Sequence, residues 1–153
     1  MSLRSLGLAL STALMLSVPA GSGSAGSEDD AIRAVLMAAF DRPDQRLVVE
    51  PVVVAGDHAV ADWSQGATGG RALLRRAVHG AIEGAIDGWI IVLCSGEEIR
   101  SADALVRTGI PRPAAAQLAA ALAEAERHVA AERLALFSTF EGTVPVEEGA
   151  HHR

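Results

Sequence analysis

The sequence of 153 residues has few of the residues that build cross-linked or reactive sites. It contains one cysteine, Cys94, and three methionines, two of which lie in its first fifteen residues. A single cysteine excludes an internal disulfide and the paired-cysteine motifs of structural zinc and redox sites. We therefore expect the fold to be stabilised by packing of side chains.

The motifs of common enzyme classes are also missing from the sequence. It has no glycine-rich phosphate-binding fingerprint, no nucleophile elbow and no metalloprotease motif. Paired histidines on one helix face and methionine-rich segments, two simple routes to a metal site, do not occur either. The sequence gives no positive evidence for catalysis, and we expect a protein that is not an enzyme.

Basic residues are outnumbered, with 13 Lys and Arg against 19 Asp and Glu, a formal net charge of −6. The N-terminus has the three-part plan of a secretory signal: Arg4, a largely apolar stretch at 6–18, and small residues at 19–25. We expect residues 1–25 to be the signal peptide, cleaved after Ala20 or Ala25, because the apolar stretch is shorter than a span of about 20 residues. The sequence thus predicts an exported, periplasmic protein with no stable membrane span after cleavage.

Removal of that signal takes away one base, Arg4, and no acid, which moves the formal charge to −7. An acidic chain of this kind is unsuited to nucleic acid, and we expect no nucleic-acid partner. The remaining length suits one domain with its own core. We assign this domain to residues 26–142 and a flexible tail to residues 143–153.

Runs of β-branched and apolar residues predict four strands, at residues 47–54, 58–65, 71–76 and 89–94. Gly56 and Asp57 separate the first two and predict a hairpin. Gly66, Gly69 and Gly70 predict a second reversal, since glycine gives the backbone freedom to turn. The last run is apolar at both parities, so we expect it to be a central strand covered on both faces.

Helical patterns flank these strands. Apolar residues with helical spacing precede them, at Ile32, Val35, Leu36, Ala39 and Phe40. After the strands, Ser101 predicts the cap of a brief helix and Pro113 the first turn of a long alanine-rich one. The expected fold class is α+β: an N-terminal helix, a four-stranded antiparallel meander and C-terminal helices packed on one face, in a cystatin-like or NTF2-like plan.

The strand patterns also predict where individual side chains lie. We expect Trp63 and Trp89 to be buried between sheet and helices. Cys94 has the same strand parity as Ile90 and Val92, which predicts a buried, unreactive thiol. On the second strand, His58 and Asp62 share one face but lie about 13 Å apart at about 3.3 Å per residue, which is too far for a catalytic dyad. A solvated surface is the expected environment of that face.

Two further groups of charged residues stand out in the sequence, one rich in arginine and one that pairs a histidine with a glutamate. Arg71, Arg75 and Arg76 follow Gly69 and Gly70, a combination that could meet a small anion through arginines and backbone amides. Arginines lining an exposed strand are the favoured interpretation. His128 lies four residues from Glu124, which predicts an exposed electrostatic pair on a helix.

Three segments carry a family resemblance: Val52-Val53-Val54 with Gly56-Asp57-His58-Ala59-Val60-Ala61 and Trp63, then Gly69-Gly70-Arg71-Ala72-Leu73-Leu74-Arg75, then Gly88-Trp89 with Ile91-Val92-Leu93-Cys94-Ser95-Gly96. With them, the chain from about residue 31 to residue 142 resembles the small bacterial proteins called copper uptake system-associated proteins. The resemblance implies an exported accessory protein associated with copper uptake, copper as its ligand, and copper-transport components of the cell envelope as partners. It implies no catalytic residues.

If copper binds this chain, the tail offers adjacent histidines, His151 and His152, with Glu147 and Glu148 as nearby oxygen donors. Imidazole and carboxylate ligands favour copper(II) over copper(I). The alternative ligands are His58, His79 and Cys94. The alternative function is a small periplasmic hydrolase or isomerase, which would need a pocket on the concave sheet face with converging polar groups.

Overall fold

The computed structural model describes residues 25–77, 85–86 and 88–146. Nearly all of the predicted signal, His79, and the tail ligands His151 and His152 lie outside these residues. Across the described ranges, no helix is both long enough and apolar enough to cross a membrane.

The described elements are, in chain order, α1 Ala25–Phe40, β1 Leu47–Ala55, β2 His58–Gln65, β3 Thr68–Arg76, β4 Trp89–Ser95, a 3₁₀ turn at Glu98–Arg100, α2 Ala102–Arg107, α3 Arg112–Glu126, α4 Ala131–Leu136 and β5 Thr143–Pro145. The strands form one sheet in the order β1-β2-β3-β4-β5, and every neighbouring pair is antiparallel. The α+β class is confirmed, with an N-terminal helix, a meander sheet and C-terminal helices packed on it.

The fifth strand comes from the segment that the sequence assigned to the tail. In β5, Val144 pairs with Cys94 of β4, and the backbone N–H of Val146 donates to the Val92 carbonyl at 2.9 Å. Without β5 the outer backbone groups of β4 would form an unprotected sheet edge. This strand is short and its neighbours in the sequence are polar. It therefore has no alternating pattern from which a strand could be predicted.

Helices cover both faces of the sheet. Ile32, Val35 and Leu36 of α1 pack on one face, in a cluster with side chains of β1 to β4. On the other face, Leu105 of α2 and Leu118 of α3 belong to a second cluster with strand side chains. The sheet is therefore a central layer between helices, and side chains on both of its faces are buried. Side chains that were predicted to face solvent pack against helices instead.

The second reversal lies earlier than predicted. Gly66, at φ 61°, makes the turn, and β3 already begins at Thr68. Gly69 and Gly70 lie within β3, where a Cβ on Gly70 would come within 2.9 Å of Phe140 Cβ. The backbone N–H of Phe140 donates to the Gly69 carbonyl at 3.1 Å. Because these two glycines have no side chain, the segment that follows α4 can pack directly against β3.

A register shift changes the environment predicted for Cys94. Leu73 of β3 pairs with Leu93, but its neighbour Leu74 pairs with Ile91, so β4 carries one extra residue there. As a result Cys94 packs in the α1-side cluster with Ile91, and not at the parity of Ile90 and Val92. Its predicted burial is confirmed, at 5% exposure.

Candidate functional site: a buried charge cluster and an apolar cavity

Arg71 is fully buried, so the prediction that it lines an exposed strand is wrong. Its Nε and Nη2 donate to Glu126 Oε1 of α3 at 2.9 and 2.6 Å. Its Nη1 donates to the Gly96 carbonyl at 2.8 Å and to the Phe137 carbonyl at 3.3 Å. One guanidinium on β3 thus holds α3, the end of β4 and the end of α4 in place.

A second arginine extends this charge cluster towards the surface. Arg100 donates from Nη2 to Glu126 Oε2 and from Nη1 to Glu97 Oε2, each at 2.8 Å. The Ser138 hydroxyl, followed by Arg100, holds the pKa of Glu97 below its usual value, because both donate hydrogen bonds to its carboxylate. Arg71 Nη1 also lies 3.5 Å from Glu97 Oε1, so Arg71 and Arg100 share the carboxylates of Glu97 and Glu126.

Asp62 completes the cluster and is fully buried, which contradicts the solvated face predicted for it. Its Oδ1 lies 3.6 Å from Arg71 Nε, and neither carboxyl oxygen accepts a hydrogen bond from the described residues. Burial raises the pKa of Asp62 to about 7, although Arg71 acts in the opposite direction. The strand alternation placed this side chain on the correct face, but it could not show that helices cover that face.

Carboxyl groups with strongly raised pKa values are typical of active sites. Here, however, Asp62 and Arg71 are 0% exposed and Glu126 is 4% exposed, so a substrate has no open path to them. Their described contacts join secondary-structure elements to one another. We interpret the charge cluster as a structural clamp between the sheet and the C-terminal helices.

An apolar cavity of about 260 Å³ lies on the other face of the sheet from the charge cluster, the face that α1 covers. It is lined by Phe40, Leu47, Trp63, Gln65, Cys94, Phe140, Val144 and Val146. The rings of Trp63 and Phe140 meet edge to face, with centroids 5.6 Å apart. Cys94 is the titratable group among these described lining residues, and burial raises its pKa to about 11, which disfavours the thiolate.

The two tryptophans differ in burial. Trp89 is fully buried, as predicted, and the Arg76 guanidinium carbon lies 4.6 Å from its ring centroid. Trp63 is only half-buried, in contrast to the prediction, because its ring borders the cavity. The Trp63 indole Nε1 is itself buried and donates to no described acceptor.

The structure does not bring together His58 and Cys94, the two predicted fallback ligands that lie among the described residues. His58 opens β2 on the face that α2 and α3 cover, whereas Cys94 packs in the α1-side cluster. Among the described residues, no group of three or more His, Cys, Asp or Glu side chains is placed to hold a metal ion. His128 lies 3.5 Å from Glu124, which confirms the predicted exposed pair.

No local sequence pattern indicates the cavity, because its walls come from distant segments. Phe40 ends α1, Trp63 lies in β2, and Phe140 and Val146 flank the unpredicted β5.

No protein-family model, curated protein or solved structure matches this chain.

Proposed function

We propose that this protein is an exported, non-catalytic accessory protein in bacterial copper handling, which acts by binding. The signal-like N-terminus and the resemblance carried by residues 31–142 support export and the link to copper. The copper-transport components of the cell envelope are the proposed partners, and the periplasm is the proposed location.

One structural observation carries the non-catalytic part of this proposal. Among the described residues that line the apolar cavity, Cys94 is the one titratable side chain, and its raised pKa favours the protonated thiol. General acid–base or nucleophilic catalysis needs groups that exchange protons near the working pH and reach the substrate. A cavity with this lining favours the binding of apolar groups over chemical reaction.

Copper is proposed to bind through the tail, at His151 and His152 with Glu147 and Glu148. Adjacent imidazoles and carboxylates suit copper(II). The affinity should fall as pH drops through the histidine range, because protons compete with the metal for the imidazoles. His58, His79 and Cys94 remain the alternative ligands.

Copper(II) calorimetry on the mature protein and on a chain that ends at Val146 tests this site. The end point keeps β5, since the Val146 N–H is the donor to Val92. We expect the shortened chain to lose copper(II) binding and the His58→Ala variant, which removes one histidine from the folded part, to retain it. Undiminished binding by the shortened chain would exclude the tail.

The alternative, a small hydrolase or isomerase, has one observation in its favour. Asp62 combines a pKa of about 7 with the neighbouring Arg71, a pairing that suits proton transfer near neutral pH. Turnover of small ester substrates by the protein, together with loss of turnover in Asp62→Asn, would support this alternative. Inactivity of the unmodified protein towards such esters supports the accessory role.

A further inference from the structure

We propose that the apolar cavity binds a small apolar carboxylate of the fatty-acid type, with its chain inside the cavity and its carboxylate at the mouth beside Arg42. This ligand site goes beyond the proposed role in copper handling and does not depend on it. Size, an unpaired donor and charge at the mouth support it, each from a different part of the structure.

The size of the cavity suits an acyl chain. Its volume is about 260 Å³, and an apolar cavity of about 150 Å³ is enough to take up benzene. The chain would lie against Trp63, Phe140 and Val146, which bring aromatic and aliphatic surface from two sides. Burial of that surface supplies the driving force for an apolar ligand.

The indole of Trp63 points to a polar atom in the ligand. Nearly all buried polar groups in proteins have a hydrogen-bond partner, yet Trp63 Nε1 has none among the described residues. Trp63 and Gln65 lie on the same face of β2, about 7 Å apart along the strand. The indole nitrogen is closed off in the structure, so a ligand oxygen accepts from it only when the Trp63 ring or its neighbours shift on binding.

Arg42 supplies positive charge beside Gln65, one of the residues that line the cavity. Its Nη2 donates to the side-chain oxygens of Gln45 at 2.6 Å and of Gln65 at 3.5 Å, both of which are neutral. The neighbouring Arg46 is paired with Asp41 at 2.9 Å, whereas Arg42 forms no ion pair within the part of the chain that the structure describes. An exposed cation without a carboxylate partner, beside an apolar cavity in an acidic protein, complements an apolar anion.

Isothermal calorimetry with octanoate, and with 1-octanol as its uncharged analogue, tests the proposal. The protein should bind both, and octanoate more tightly. Arg42→Gln should weaken octanoate binding about five-fold, the effect of losing an exposed charge pair of about 1 kcal/mol, and leave 1-octanol binding unchanged. Equal effects of Arg42→Gln on both compounds, or no saturable binding of octanoate, would overturn the proposal.

A matched pair of tryptophan substitutions locates the site. Val144 lines the cavity and is 49% exposed, whereas Val48 on β1 is 45% exposed and lies outside the lining. Val144→Trp should abolish binding of both compounds, and Val48→Trp should leave it intact. Equal binding by the two variants would place the ligand elsewhere and contradict the proposal. Copper(II) titration of Val144→Trp should match the unmodified protein, so failure of the copper role and failure of the cavity ligand are distinguishable.

Discussion

Arg71 on β3 and Glu126 on α3 form an ion pair with both side chains buried, with 2.6 Å between Arg71 Nη2 and Glu126 Oε1. The two residues are 55 positions apart in the chain. Removing one partner of such a pair leaves the other charge buried without compensation. The contact therefore couples the stability of the sheet to the position of the C-terminal helices.

Single substitutions in this pair should be strongly destabilising. We expect Glu126→Ala to lower the free energy of unfolding by about 3–5 kcal/mol, because Arg71 would keep a buried charge. The double variant Arg71→Met with Glu126→Leu should lose less than the sum of the losses of Arg71→Met and Glu126→Leu alone, since each single variant leaves the other charge of the pair buried. Urea unfolding followed by circular dichroism measures both.

The exposed pair of Arg112 and Asp103, 3.3 Å apart, is the control for that comparison. Arg112→Ala should change the free energy of unfolding by at most about 1 kcal/mol, as usual for surface pairs. An equally small effect of Glu126→Ala would show that the buried pair does not clamp the helices to the sheet.

Asp62 predicts a pH dependence of stability with a defined sign. Its pKa is about 7 in the folded protein against 3.8 in the unfolded chain, so the unfolded state loses this proton first as pH rises. Asp62 therefore destabilises the fold progressively between about pH 4 and pH 7, by up to about 1.4 kcal/mol per pH unit. Asp62→Asn removes this effect.

Unfolding free energies of the protein and of Asp62→Asn, measured from pH 4 to pH 8, should diverge in that range and run parallel above it. The variant should gain relative stability as pH rises. Parallel curves across the whole range would mean that the carboxyl group titrates near its ordinary pKa in the fold.

Cys94 should react slowly with thiol reagents in the native protein. Burial raises its pKa to about 11 and leaves the side chain 5% exposed, so little thiolate is accessible at pH 8. Ellman's reagent should label it slowly without denaturant and rapidly in urea. Native labelling at the denatured rate would show an open thiol and would contradict the described burial of Cys94.

The two tryptophans should differ in their contribution to stability. Trp89→Ala should cost about 3–5 kcal/mol, because the ring is fully buried. Trp63→Ala should cost less, since its ring borders the cavity and is partly exposed. Denaturant unfolding measures both losses, and a larger loss for Trp63→Ala would contradict the described packing.

The local features of the fold were predictable from the sequence. Strand runs such as residues 58–65 have the correct bounds, and the Ser101 hydroxyl caps α2 through the Ala104 N–H, as predicted. These features depend on neighbouring residues, so a local pattern contains them.

The candidate sites were not predictable, because they arise from long-range contacts. The partner of Arg71 is on a helix far along the chain, and the alternation of β2 gave the face of Asp62 without showing what covers it. The extra residue in β4 reversed the parity that had been assigned to Cys94. The cavity needed β5, whose three residues are too few to form a recognisable pattern.

The metal content of the protein isolated from the periplasm of cells grown with added copper tests the central claim most directly. The proposed role predicts stoichiometric copper in the full mature chain and a clear loss of copper in the chain ending at Val146. Recovery of the full chain from the periplasm without copper would contradict a binding role in copper handling.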